Sequence, residues 1–474
     1  MIDSIIYEVP FIITEKTELK KLNKDLYKLD KIIDSKKVEI EELMLEEIRK
    51  KDKSWKRISK WRRGYSLIYR FRVLLLKNYY DLTLRETESY IKENISARLF
   101  LDMIWDISLY SIPKYSTIQL WEQEFWESFT KEINNLLLSI SKRKILKGRK
   151  SRSDTTVVEE NVSYPTDSTL LCKWKDLLKR GMDKVWKILW WTSDKIKKNI
   201  NKWIRIMKKS YLNIKKYSRK RKEESKKLVK KYYEDLINIA KSTVSVVSKE
   251  IKRIKATSKR KSHEIKQKLK KRLLEVEWYV SKVNQVIDQT INRVLNWKKV
   301  CIWDKLISYF SETAQIICKW KTWKPIEIWR KLSITECENG IITNWRLYEW
   351  NPNDVKILED TIEDMKNNIW KVPKNNSYDR WFYDKSEKTR LENKYKVELH
   401  IPKRWKKSEE EKVKEKTWKF KTYQKFRAWW EWRISLLKRR SWLKKVRVRW
   451  KSVEIKVWWW ILTDNMKIIA QKLI

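Results

Sequence analysis

Three acidic residues, far apart along the chain, carry the chemistry worth testing: Asp154 in "SDTTVVEEN", Asp379 in "YDRWFYD" and Glu431 in "RAWWEWRISLLK". Two carboxylates on adjacent strands and a third on a helix can hold a pair of divalent cations about 3.5–4 Å apart, the arrangement that drives in-line attack on phosphodiesters. Cationic side chains bracket the last of them, with Arg427 four positions before Glu431 and Lys438 seven after. Taken alone, Asp154 would pass for an ordinary loop aspartate.

Such a site needs strands to present the aspartates and a helix to present the glutamate. Thr155, Thr156, Val157 and Val158 are β-branched and predict a strand beginning at or containing Asp154, and Pro165 and Asp167 supply turn chemistry after it. Beyond residue 301, "KPIEIWRKLSIT", "GIITNWRLYEWNPND" and "YKVELHIP" read as strands broken by turns, followed by a helix around Glu431. The stretch between, 172–300, has no Pro and one Gly, Gly181, among many Lys, Arg, Ile, Leu and Val, which predicts long helices. Its cations suit a clamp on DNA or simply a solvated face, and His263 within it is expected at the surface.

Upstream, Leu19, Leu22, Leu26, Leu29 and Ile33 recur three and four apart and predict a helix with one apolar face. From 55 to 125 short helices follow. Thr83 or Asp81 would cap one starting near Leu84, and Ser116 or Thr117 one starting after Pro113; the pair suits a helix-turn-helix or a plain bundle. The expected organisation is an N-terminal helical arm over 1–54, a helical DNA-binding domain over 55–142, the first part of an α/β core over 143–171, a basic helical insertion over 172–300 and the rest of the core over 301–474.

Composition bears on partners. The 474 residues include 112 Lys plus Arg against 62 Asp plus Glu, a net charge of +50. A field of that sign attracts polyanions, and neutralisation of phosphates by Lys and Arg supplies sequence-independent nucleic-acid affinity; Lys-rich codon usage is the other source of such an excess. Cys172, Cys301, Cys318 and Cys337 form no C-x-x-C pair and, with His263 and His400, no zinc spacing, which points to a reduced, cytoplasmic setting. No run reaches the roughly 18 apolar residues that cross a bilayer, so no membrane partner is expected.

The 30 Trp and 4 Gly are out of balance. Ordinary chains carry roughly 7% Gly, about 33 residues at this length, close to the two counts combined. Several Trp, including Trp381, Trp430 and Trp432, stand where turns or close backbone approach favour glycine. A gene that uses UGA for glycine but is read with UGA as tryptophan would give this pattern; a genuinely Trp-rich protein using indoles as anchors or base-stacking platforms is the alternative.

The same blocks resemble the DDE transposases of bacterial insertion sequences. "DTTVVEENVSYPTDSTLL" is similar to that family's first-aspartate block, D-T-T-V-V-E-x-N-I-x-Y-P-T-D-S; "YDRWFYD" resembles its D-R-G-F-Y block, with Trp381 at the glycine; and "RAWWEWRISLLKRR" resembles R-x-G-V-E-G-R-I-S-x-L-K-R. "VWWWILTDN" is similar to the closing V-G-W-G-V-L-A-H-N, with Thr463 and Asp464 replacing Ala and His. "DLTLRETESYIKENISARLFLDM" resembles the helical region before the catalytic core. Tyr423 stands one position too far from Arg427 to take the family tyrosine's role.

The resemblance implies an RNase H-like mixed-sheet core split by a long helical insertion and preceded by an all-α domain, with Asp154, Asp379 and Glu431 as ligands of Mg²⁺ or, alternatively, Mn²⁺. It implies Arg427 and Lys438, and less directly Arg433, as contacts to DNA phosphate, with Asp384, Glu159 and Glu160 as supporting or structural carboxylates. It implies cleavage of element ends and strand transfer into target DNA, on a DNA-bound homodimer. Other readings are a non-catalytic nucleic-acid-binding protein, an inactivated remnant, a nuclease with the same triad, and a basic scaffold.

Overall fold

The computed structural model describes residues 16–51, 65–103, 112–125, 127–141, 145–159, 166–189, 194–220, 222–258, 262–301, 304–309, 315–318, 326–348, 351–440 and 451–474. Glu160 and Pro165 lie outside the described residues. The chain divides into two units, one of Met1–Asn161 with Arg330–Ile474 and one of Val162–Trp329.

In the first unit, the helices before the sheet include α1 (Lys24–Ser35), α2 (Lys37–Lys51), α3 (Leu67–Tyr79), α4 (Leu84–Glu93), α5 (Ile95–Phe100), α6 (Tyr115–Glu124) and α7 (Glu127–Ser141). The Asn23 side chain accepts the Leu26 N–H and starts α1. Its apolar face buries Leu26, Leu29 and Ile33; in the helical turn before Asn23, Leu19 is buried while Leu22 stays exposed. Thr83 and Glu86 close a reciprocal capping box on α4. Helix α6 begins at Tyr115 after Lys114, which offers no capping side chain. The Glu88 carboxylate accepts the Tyr115 N–H at 2.9 Å instead, so a residue from α4 does the work expected of Ser116 or Thr117. A last helix, α16 (Lys451–Leu473), shares this core, with Trp459 against Phe71 and Phe129.

The sheet contains β1 (Lys150–Glu159), β3 (Ile326–Cys337), β4 (Ile342–Leu347), β5 (Asn375–Ser377) and β6 (Glu398–His400), with β2 (Gln315–Cys318) pairing the start of β3. Through the latter half of β3 the order is β4-β3-β1-β5-β6. Strands β3 and β4 are antiparallel, whereas β1, β5 and β6 are mutually parallel. The helices α12 (Asp354–Ile369), α13 (Lys385–Tyr395), α14 (Glu409–Lys416) and α15 (Trp418–Arg440) follow β4, β5 and β6 in turn. The architecture is therefore α/β: a mixed sheet interrupted after β1 by a long helical insertion and preceded by an all-α segment.

That insertion, in the other unit, is α8 (Asp167–Leu189), α9 (Asp194–Tyr217), α10 (Glu223–Ser258) and α11 (His263–Thr290), ending in a π-helical turn at Ile291–Leu295. Buried Leu171, Trp174, Leu178, Met182 and Val185 recur at helical spacing along α8 and pack with Leu236, Val247, Val276 and Val283. The Asp167 carboxylate accepts from Gln289 at 2.8 Å and Arg293 at 2.7 Å, which ties the first helix to the last. His263 is exposed.

Candidate active site

Alternation along β1 sends Lys150, Arg152 and Asp154 to one face and Ser151, Ser153 and Thr155 to the other. The face with Asp154 is turned towards α15: the Lys150 ammonium lies 4.4 Å from the Phe426 ring centre, and the Arg152 guanidinium donates to the Phe426 carbonyl at 2.7 Å. The opposite face is turned away from that helix, Ser153 bonding Thr335 at 2.8 Å and Thr155 bonding Asp354 at 3.1 Å.

Parallel pairing places Lys150, Ser151 and Arg152 opposite Asn375, Asn376 and Ser377. Continued two residues further, the same register sets Asp154 beside Asp379, just past the end of β5. Each aspartate is oriented by a backbone amide, the Thr155 N–H donating to Asp154 at 2.7 Å and the Arg380 N–H to Asp379 at 2.7 Å. Glu431 comes from α15, one helical turn beyond Arg427.

The Arg427 guanidinium joins the three. It lies 3.5 Å from the Asp154 carboxylate, 3.7 Å from that of Asp379 and 3.6 Å from that of Glu431. The strand acids are recessed, with 17% and 29% of their side chains exposed, whereas Glu431 is 72% exposed. Burial, reinforced by the Asp379 carboxylate, pushes the Asp154 pKa up to about 7 against the pull of Arg427. Among the described residues, no three His, Cys, Asp or Glu side chains are gathered as a ready cation cage; here a guanidinium is the common partner. The donor set, all carboxylate oxygens, suits a hard cation such as Mg²⁺.

Beneath this cluster lies a buried ion network. Glu336 on β3, fully buried, meets Arg152 at 2.5 Å and Arg433 of α15 at 3.5 Å, and Arg433 also pairs with Asp464 of α16. Burial raises the Glu336 pKa, opposed by the two guanidinium groups. Arg433 is thus buried among carboxylates rather than turned outward to phosphate. Lys438 is half-buried near the end of α15, and Asp384 caps α13 by accepting the Glu387 N–H at 3.0 Å. Sequence spacing singles out neither Arg152 nor Glu336. The two-residue separation of Arg152 from Asp154 on a strand is the available signal, but a basic run hides it.

The tryptophans around the site differ in fit. Trp381 lies under the Arg404 guanidinium, 3.6 Å from the ring centre. Trp430 is fully buried with no partner for its indole N–H, and Trp432 is 56% exposed.

Residues 15–124 match a family model described as a transposase domain (DUF772). No curated protein and no solved structure matches the chain. The match supports a transposase-family function with DNA as its partner, and it ends before the carboxylate cluster. No helix among the described residues is long and apolar enough to cross a membrane.

Proposed function

We propose that the chain is a DDE transposase that cuts the ends of an insertion sequence and joins them to target DNA. The observation that carries this reading is the placement of Asp154 and Asp379 in register at neighbouring parallel strands, with Glu431 reaching the same guanidinium from a helix. An antiparallel β3–β4 hairpin beside β1, followed by parallel β5 and β6, supports an RNase H-like core. The transposase-domain match over 15–124 supports the class.

In this reading Asp154, Asp379 and Glu431 are the ligands of Mg²⁺, with Mn²⁺ able to replace it. Bound there, the cations would activate the attacking water or 3′-hydroxyl and stabilise the leaving oxygen. The protein's own part is placement. Backbone amides fix both aspartates, and α15 delivers Glu431 from the open side. Arg427 and Lys438 hold backbone phosphate near the cut, since a guanidinium pairs with phosphate through two parallel hydrogen bonds. Arg433 has no such role, because Glu336 and Asp464 already engage it. A pair of subunits, one for each element end, completes the assembly.

We also infer that many of the tryptophans stand at glycine positions of the natural protein. Trp297 and Trp370 have φ of 54° and 53°, the left-handed region that glycine enters freely. Among the described residues, the indole N–H groups of Trp186, Trp345 and Trp458 are buried without a partner, a costly state for a polar group. TGG codons at these positions would overturn this inference; TGA codons would support it.

The activity test is nicking of a plasmid that carries the DNA flanking this reading frame, with Mg²⁺ present. Asp154→Ala, Asp379→Ala and Glu431→Ala should each abolish nicking and strand transfer. Activity surviving in all three would refute the assignment. DNA binding without metal-dependent cleavage in the glycine-restored protein would favour the non-catalytic reading.

A further inference from the structure

We propose that Arg427 serves as an internal counter-ion of the three carboxylates, so that a divalent cation binds weakly until DNA phosphate draws the guanidinium away. This rests on the reading of Asp154, Asp379 and Glu431 as the metal ligands. Its ground is geometric: one guanidinium lies within 3.7 Å of all three acids.

Three carboxylates brought this close repel one another and need positive charge among them. The guanidinium supplies it and cannot be discharged, because arginine stays protonated at any relevant pH. It can leave the cluster only by moving. Arg427 is 14% exposed, at the edge of solvent on a long side chain, so a rotamer change suffices to carry its charge outward. Carboxylates and phosphate then compete for the same fork of donors. Whatever binds the guanidinium outside the cluster makes the carboxylates more available to a cation, and linkage requires the converse: cation binding frees Arg427 for phosphate. Metal and DNA are thereby recruited together, and the DNA-free protein keeps its cutting site closed by charge.

The test is calorimetric titration of Mg²⁺ and Mn²⁺ into the full chain without DNA. Arg427→Gln should bind the cations more tightly by roughly tenfold or more, the equivalent of removing one charge-assisted competitor. Arg427→Lys keeps a cation on a shorter reach and should fall between Arg427→Gln and the unaltered chain. Asp379→Asn should weaken binding. If Asp379→Asn weakens binding and Arg427→Gln does not tighten it, the counter-ion proposal is overturned while the ligand assignment stands. If neither variant differs from the unaltered chain, the ligand assignment fails and the proposal with it. Should Arg427→Gln be too unstable to titrate, melting with MgCl₂ against NaCl of equal ionic strength decides. The variant should regain more thermal stability from Mg²⁺ than the unaltered chain gains, and an equal or smaller gain would overturn the proposal.

Discussion

Replacing Glu336 by Gln removes one negative charge from the middle of the sheet while keeping the side chain's shape. Glu336 is fully buried and faces two guanidinium groups, Arg152 at 2.5 Å and Arg433 at 3.5 Å, whose own side chains are 10% exposed. Arg433 retains Asp464 after the change, but Arg152 loses its charged partner among the described residues and is left with neutral ones, the Phe426 carbonyl and the faces of the Phe426 and Trp430 rings among them. Breaking a buried pair by deleting one partner typically costs about 3–5 kcal/mol, because a desolvated charge is left without its counter-charge. With one of the two arginines still paired, the lower end applies, about 3 kcal/mol.

Urea unfolding gives the measurement, since the midpoint falls in proportion to the lost stability when the slope is unchanged. Glu398→Gln is the control: its partner Lys419 is 51% exposed and Glu398 itself 44% exposed, so that change should cost less than about 1 kcal/mol. If Glu336→Gln also costs less than about 1 kcal/mol, the buried network does not hold α15 to the sheet and does not fix the position of Glu431.

His400 is buried beside Tyr423, their rings stacked at 4.4 Å, and burial lowers its pKa from 6.5 to about 4. The unfolded chain therefore takes up the proton first, so this group's contribution to stability is complete above about pH 6.5 and lost as pH falls towards 4; an NMR titration placing His400 near 6.5 would contradict it. Trp297 is 81% exposed with φ of 54°, so Trp297→Gly gives up little packing and relieves left-handed strain. It should stabilise the chain by about 1 kcal/mol, read as a higher urea midpoint, and a lower midpoint would speak against a glycine-type position there.

Local chemistry was legible where it depended on neighbours in sequence. The apolar stripe from Leu19 to Ile33 named the buried face of the first helices, except at Leu22, which the three- and four-residue spacing could not distinguish from its neighbours. The helix start near Leu84 was legible with Thr83 or Asp81 as its cap, and Thr83 takes the place because Glu86, three residues on, closes the box with it. The start of α6 after Pro113 was legible but its cap was not, because Glu88 reaches it from a different helix. Strand β1 extends back to Lys150, beyond the β-branched residues that announced it. Its basic residues Lys150 and Arg152 are received by Phe426, Trp430 and Glu336, partners that lie far away in sequence. Arg152 and Glu336 are 184 residues apart, and no spacing rule connects side chains over that distance. The shared contact of the three acids with Arg427 is of the same kind, since it needs the parallel register of β1 and β5 as well as the docking of α15.

The two halves of the acidic cluster differ in how accurately they can be held. Asp154 and Asp379 are set by strand register and by a backbone N–H each, so their positions follow from the sheet itself. Glu431 has no such fixture: its side chain is 72% exposed, and its location depends on where α15 lies. That helix is held to β1 by Arg152 through the Phe426 carbonyl, to β3 by Arg433 through Glu336, and to the carbonyl of His400, at the end of β6, by Gln424 at 2.6 Å. If Glu431 is the metal ligand proposed above, misplacing it by about 1 Å can cost a hundredfold in rate, which gives a buried charge network that would be a poor choice for stability alone a reason to be here. Hydrophobic replacement of such networks is often neutral or stabilising, but an apolar core would allow α15 to slide, whereas paired charges of fixed geometry do not.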